Sequence, residues 1–288
     1  MKYEERALWL PCKGERLAAV LARPEQPGDL GVVIVVGGPQ YRAGSHRQFV
    51  LLARHLAAGG FATLRFDFRG MGDSAGAQRT FEDVGADVCA AIDAMLAEQP
   101  GLRGVALWGL CDGASAALLY LDETGDPRVA ALGLVNPWVR SPASLARTHI
   151  EHHYKRRLHD PAFWVRLVTG RIRARSLAEL WRAWKLSLQG RDHVPGSAAR
   201  SFQQRMADAW RRFPGQMLLL LSAEDYTAAE FRDALATDPV WCGASAHARL
   251  TRHDVAGTDH TFSDAAGRAA AQRLTADWLA AVAASRAL

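Results

Sequence analysis

Cysteine is scarce in this chain, with four in 288 residues at positions 12, 89, 111 and 242, and no two share the spacing of a zinc site or a disulfide framework. A chain of this length builds a core without such staples, so the thiols are expected to be free and the setting reducing, that is cytoplasmic. No run reaches the ~18 consecutive apolar residues of a membrane span. Met1 to Trp9 carries Lys2, Glu4, Glu5 and Arg6 where a signal peptide or anchor needs an apolar stretch. The glycines of Asp67-Phe68-Arg69-Gly70-Met71-Gly72-Asp73-Ser74 lack the G-x-G-x-x-G spacing and no Walker lysine follows, which argues against a nucleotide site. His152 and His153 have no third ligand at metal spacing. Neither a cofactor nor a metal is called for.

The formal net charge is +5, but it is concentrated in one segment. Residues 139–213 hold 16 Lys and Arg against 5 Asp and Glu, a net +11, which leaves −6 for the remainder. This distribution does not describe a nucleic-acid binder. It describes an acidic body with a basic insert, read either as a solvated helical surface or as a surface for anionic acyl carriers, anionic sugars or lipid headgroups.

What is present is organised around Gly109-Leu110-Cys111-Asp112-Gly113. An apolar strand-like run, Val105 to Trp108, precedes it, and the small-residue helical stretch Ala114 to Leu121 follows, so the segment reads as a strand, a sharp turn and a helix. A side chain at the apex of such a turn is held in a strained backbone, and the flanking glycines are needed because a β-carbon at either would collide with neighbouring main chain. The apex also sits near a helix N-terminus, where unpaired N–H groups favour a thiolate and a developing oxyanion. Cys111 is therefore the candidate nucleophile, expected to be the most reactive of the four thiols, with Cys89 a buried structural one.

Around this turn the chain alternates. Arg6 to Pro11 and Leu17 to Ala22 form an opening hairpin, and Leu30 to Val36 is a β-branched run buried on both faces of a sheet, ending at Gly37-Gly38-Pro39. Arg47 to Ala58 reads as a helix with Phe49, Leu52, His55 and Leu56 near one face, Phe61 to Phe66 as a strand, and Phe81 to Leu96 as a long amphipathic helix. Strands at 130–135, 216–222 and 249–255 and a terminal helix complete a doubly wound, mostly parallel sheet of α/β class. Residues 138–213 break the rhythm: helical patterns without strands, with Trp164, Trp181, Trp184 and Trp210 among arginines, mark an inserted helical cap between core segments 1–137 and 214–288.

Catalytic groups on such sheets belong at the carboxyl ends of the strands. There the Gly38 N–H is a candidate oxyanion donor, since Pro39 has none, and the Asp112 N–H is the second. The strand 216–222 ends at Ala223-Glu224-Asp225, which offers Asp225 as the orienting acid with Glu224 as runner-up. His260, in the loop before the terminal helix, is the candidate base, with His253 as its rival.

Gly37-Gly38-Pro39, the Asp67 to Ser74 loop, the Cys111 elbow, Asp225 and Asp259-His260, in that order, resemble the α/β-hydrolase superfamily. The Gly37 to Arg42 and Gly109 to Gly113 stretches resemble those of the α/β-hydrolases that accompany bacterial exosortase systems, which implies a hydrolase role near exopolysaccharide production and protein sorting. Dienelactone hydrolases and polyhydroxyalkanoate synthases share the Gly-x-Cys-x-Gly elbow. Three functions remain in play: hydrolysis of an ester or thioester through an acyl-cysteine, acyl transfer from the same intermediate, and ligand binding on a hydrolase scaffold without catalysis. The expected partner is a small acyl substrate, anionic if the basic insert selects it.

Overall fold

Four uninterrupted apolar runs decide the centre of the molecule, because a strand that is apolar on both faces is stable only with layers on either side. The computed structural model describes residues 2–38, 40–140 and 200–286. The chain divides into two compact units, Met1–Trp138 with Arg200–Leu288, and Val139–Ala199. The first unit carries the sheet. β1 (Tyr3–Cys12) and β2 (Glu15–Pro24) form the expected hairpin through Lys13 and Gly14, both at positive φ as a two-residue turn of matching twist requires. β3 (Leu30–Val35), β4 (Thr63–Phe66), β5 (Gly104–Leu110), β6 (Val129–Val135), β7 (Gln216–Ser222) and β8 (Leu250–Val255) follow. The order across the sheet is β1-β2-β4-β3-β5-β6-β7-β8, antiparallel at β1/β2 and β2/β4 and parallel elsewhere.

Alternation along these strands sends Val32, Ile34, Ala106, Trp108, Leu218 and Leu220 to one core, where Phe49, Leu52 and Leu56 of α1 (Gln48–Ala58) and Trp278, Leu279 and Val282 of the last helix pack. On the opposite face α2 (Gly85–Glu98) brings Met95 against Gly31, and α3 (Asp112–Thr124) leaves the elbow. α4 (Phe202–Arg212), α5 (Tyr226–Thr237) and α6 (Ala265–Arg286) complete the described helices.

Several expectations are corrected here. His55 is exposed, since α1 turns Ala53, Leu56 and Ala57 inward instead. α2 starts at Gly85 and not near Phe81, because Thr80 to Asp83 closes a turn of its own through the Thr80 carbonyl and the Asp83 N–H. Cys89 is only half-buried, beside Asp93 and the Arg128 guanidinium, whereas Cys12 is the buried thiol.

The segment read as a cap lies largely outside the described residues, but its end, 200–213, is in the first unit. A capping box at Ser201 and Gln204 opens α4, and Trp210 is fully buried against Phe231 and Trp241 with its indole N–H on the Ala244 carbonyl. Arg200, Arg205 and Arg212 converge on the buried carboxylate of Asp122 in α3. Burial works against that charge, yet the three guanidinium partners hold the carboxyl below its usual range. Arg211 also has a structural partner, its guanidinium donating to the Val240 carbonyl, so the basic residues at the end of the insert serve packing.

The Asp67 to Ser74 loop is pinned as its side chains suggest. Asp67 accepts from the N–H groups of Arg42 (2.5 Å) and Asp73 (3.0 Å), and Ser74 Oγ donates to the Asp67 carbonyl (2.8 Å). Arg69 forms a buried two-pronged pair with Asp87 of α2, 2.8 and 2.9 Å, tying the loop to the helix that follows.

At the carboxyl end of β6, Asn136 sits at φ 44° and is fully buried. Its amide donates to Ser222 Oγ (2.9 Å) and to the His260 carbonyl (3.1 Å), and its Oδ1 accepts from the Ser222 N–H (2.8 Å). Asn136→Ala should therefore cost about 2–4 kcal/mol in urea unfolding, from buried groups left unpaired and a left-handed backbone that alanine disfavours. Asn136→Gly should recover part of this by removing the backbone penalty alone.

Candidate active site

Five strand ends meet along one edge of the sheet. β3 runs into Gly37-Gly38, β5 into Cys111, β6 into Asn136, β7 into Asp225 and β8 into the loop that carries His260. Parallel pairing in register, Val35 beside Gly109 and Leu110 beside Val135, is what puts them at one level.

Cys111 stands at φ 61°, ψ −126°, a region L-residues rarely enter, at a cost of about 1–3 kcal/mol. The surrounding main chain holds it there. Its N–H donates to the Val135 carbonyl (2.9 Å), and its own carbonyl accepts from the N–H groups of Ala114 (3.1 Å) and Trp138 (3.3 Å). A β-carbon on Gly109 would lie 2.5 Å from the Ala114 nitrogen, and one on Gly113 would strike the Val35 carbonyl oxygen and lie 3.0 Å from the Gly37 nitrogen. Both glycines are demanded by close approach of main chain to main chain.

Asp225 is the N-cap of α5. Its carboxylate accepts from the N–H groups of Thr227 (3.2 Å) and Ala228 (3.0 Å), which fixes the side-chain rotamer, and Oδ2 also faces His260 Nδ1 at 2.8 Å. Helix capping and histidine orientation fall to one group. Glu224, its neighbour, is exposed, and His253 lies inside β8 beside Leu220, away from the strand ends.

His260 is held by the residues on either side. Thr258 Oγ1 donates to the Val255 carbonyl (2.8 Å), Asp259 accepts from the Thr261 and Ser263 N–H groups, and Phe262 is buried in the core at φ 52°. With Nδ1 on Asp225, the imidazole keeps its second ring nitrogen, and the Cys111 thiol is near enough to raise its proton affinity. Burial lowers the imidazole's proton affinity, but the hydrogen bonds and negative charge supplied by Asp225 and Cys111 outweigh it, and the pKa is pushed up to about 10. The sequence candidates Cys111, His260 and Asp225 thus form one continuous chain of contacts.

The two oxyanion candidates, Gly38 and Asp112, also meet, though in a way the sequence did not announce. The Gly38 N–H donates to Asp112 Oδ1, and the same carboxylate accepts from the N–H groups of Asp112 and Gly113. Burial, the largest influence, pushes the Asp112 carboxyl up, against the opposing pull of those donors and of the His260 charge. Sequence reasoning used only the Asp112 N–H and passed over its side chain; an acid directly after the nucleophile was the available signal. Asn136 was missed as well, its signal being a polar residue at the end of a buried strand. Among the described residues no group of three His, Cys, Asp or Glu side chains is placed to hold a metal, and His152 and His153 lie outside them. No described helix is long and apolar enough to cross a membrane.

The family model described as serine aminopeptidase, S33, matches residues 30–267. Over 116 residues the chain is 35% identical to the protein ABHD12B of Homo sapiens, a match covering 38% of this chain and 31% of that protein, about a third of its length. The esterase Pf2001 of Pyrococcus furiosus superposes with a TM-score of 0.65 at 13% identity, over 97% of this chain and 92% of its own. Est1E from Butyrivibrio proteoclasticus, solved with ferulic acid bound, gives 0.61 at 16% identity, over 96% and 100%. These two share the fold. The family match runs from β3, through the elbow strand and the strand ends that carry Asp225 and His260, into the first turn of the last helix, and on that match the chain belongs to the serine aminopeptidase S33 family of α/β-hydrolases.

Proposed function

We propose that the protein hydrolyses a carboxylic ester or thioester through an acyl-cysteine intermediate, with Cys111 as nucleophile, His260 as proton shuttle and Asp225 as the group that orients His260. The observation that carries this reading is the single imidazole bridging a strained thiol and a helix-capping carboxylate. The imidazole, whose pKa is pushed up to about 10, takes the proton of the Cys111 thiol as its sulfur becomes the nucleophile. The thiolate sulfur attacks the carbonyl carbon, the carbonyl π pair moves to oxygen, and the Gly38 and Asp112 N–H groups receive the oxyanion. Collapse breaks the bond to the leaving alkoxide or thiolate, which takes the proton from His260. Once Cys111 is acylated its charge no longer raises the imidazole, so His260 gives up its proton more readily and stands neutral to act as base. It then removes a proton from the water that attacks the thioester carbon; collapse breaks the C–S bond, releases the carboxylic acid and returns the proton from His260 to the Cys111 sulfur.

The family description names a serine enzyme, and the esterase Pf2001 and Est1E are similar to this chain in fold alone; the cysteine at the elbow is what directs the reading here to an acyl-cysteine. All four thiols are free, in keeping with a reducing compartment. The likeness of Gly37 to Arg42 and Gly109 to Gly113 to the exosortase-associated hydrolases supports a role beside exopolysaccharide production, and the helical pattern within 138–213 supports reading that segment as an inserted cap domain.

Incubation with activated esters and acyl-thioesters followed by intact-mass measurement should show one acyl group, mapped to Cys111 and absent in Cys111→Ala. A water-quenched adduct marks hydrolysis, and transfer to an added alcohol marks acyl transfer. Cys111→Ser should lose most activity, because a hydroxyl needs its proton removed during attack far more than a thiol does. An acylated Cys111→Ala, or full turnover in it, overturns the mechanism.

Limiting iodoacetamide should label Cys111 ahead of exposed Cys242, because the imidazole beside it accepts the thiol proton. His260→Gln should slow that labelling by about 10-fold or more.

Asp225→Asn should lower kcat by about 10²–10⁴-fold while leaving the melting temperature within a few degrees, since asparagine still caps α5. Glu224→Gln should change neither. The reverse pattern would reassign the acid.

A further inference from the structure

The N–H groups that the proposed reaction needs are already in use. Gly38, at the end of β3, and Asp112, in the first turn of α3, are the two donors assigned to the oxyanion; the Gly38 N–H donates to Asp112 Oδ1, and the Asp112 and Gly113 main-chain N–H groups favour the charge of that carboxylate. The placement is tight: a β-carbon on Gly37 would lie 2.5 Å from Asp112 Oδ1. An anion of this chain therefore occupies the place where a substrate anion is to form.

We propose that Asp112 is an internal competitor for the oxyanion site and, through its charge, a specificity-determining residue that disfavours acyl donors bearing a negative charge close to the carbonyl. The proposal rests on the acyl-cysteine reading above. The physical argument is one of exchange. Preorganised N–H donors accelerate acyl transfer by stabilising charge that appears only in the transition state. Where a carboxylate already holds them, a substrate carbonyl gains only the difference between its own developing charge and the one it displaces. The displaced carboxylate stays on the residue next to the nucleophile, so its field remains beside the reacting carbon. The charged group that faces it is His260, whose positive charge favours the resident carboxylate. Burial opposes the same carboxylate, which keeps it displaceable.

The test uses the full chain with Asp112→Ala, which empties the donors, and Asp112→Asn, which leaves a neutral oxygen on them and keeps the volume. Rapid-quench mass measurement gives the rate of Cys111 acylation by p-nitrophenyl acetate and by the p-nitrophenyl half-ester of malonic acid. Acylation by the acetate should quicken by about 10-fold or more in Asp112→Ala and by less in Asp112→Asn, and the ratio of malonate to acetate rates should rise in both. Sodium acetate, added as a free carboxylate at constant ionic strength, should become a competitive inhibitor of Asp112→Ala while leaving the wild-type protein unaffected. Equal acylation rates in all three proteins with no acetate inhibition would overturn the proposal and leave Asp112 as a residue of the helix terminus. Absence of any acyl group on Cys111 in all three would overturn the acyl-cysteine reading itself, and the proposal with it. Should Asp112→Ala fail to fold, the Asp112→Asn rates and substrate ratio decide the matter.

Discussion

The structure depends on main chain meeting main chain at the elbow. α3 begins so close to β3 and β5 that neither Gly109 nor Gly113 has room for a β-carbon, and that closeness keeps Cys111 in a backbone conformation an L-residue avoids. Hydrogen bonds from the ends of β5 and β6 supply the restraint. A thiol so mounted has few rotational choices and stands at the level where four other strands end.

Electrostatics around His260 follow from that geometry. Asp225 is fixed by capping α5, the imidazole is fixed by Asp225 and by the anchored residues Thr258, Asp259 and Phe262, and the thiol completes the line. Negative charge on two sides of one ring outweighs the burial that opposes its protonation. The same edge holds a third acid, Asp112, on the backbone donors. A site that concentrates N–H groups for an anion attracts any anion within reach, including one in the adjacent side chain. The chemistry proposed for the protein and the restraint proposed upon it thus have one source.

Charge elsewhere serves the fold. The three arginines that meet Asp122 come from the stretch that looks most basic in the sequence, and they bind α4 to α3 in place of facing a ligand. Trp210, in the same stretch, fills the core between Phe231 and Trp241. The boundary between insert and body is accordingly set by packing: arginine and tryptophan in a helical pattern look alike in sequence whether they cover a core or stand in solvent.

By itself the sequence determined the sheet, the elbow and the order of the candidate groups, because each rests on local signals: β-branched runs of strand length, glycines where no β-carbon fits, and an acid and a histidine just beyond strand ends. It could offer Glu224 beside Asp225 and His253 beside His260, and adjacent or nearby residues of equal chemistry have no local feature that ranks them. Tertiary structure ranked them, since only Asp225 caps α5 while facing the imidazole, and only His260 lies past the end of β8. The carboxylate of Asp112 on the Gly38 N–H joins positions 74 residues apart, and Asn136 joins β6 to Ser222 and to His260, 86 and 124 residues away. No periodicity records such contacts. They exist because parallel strands brought into register deliver distant residues to one edge, and that register is decided by the packed core as a whole.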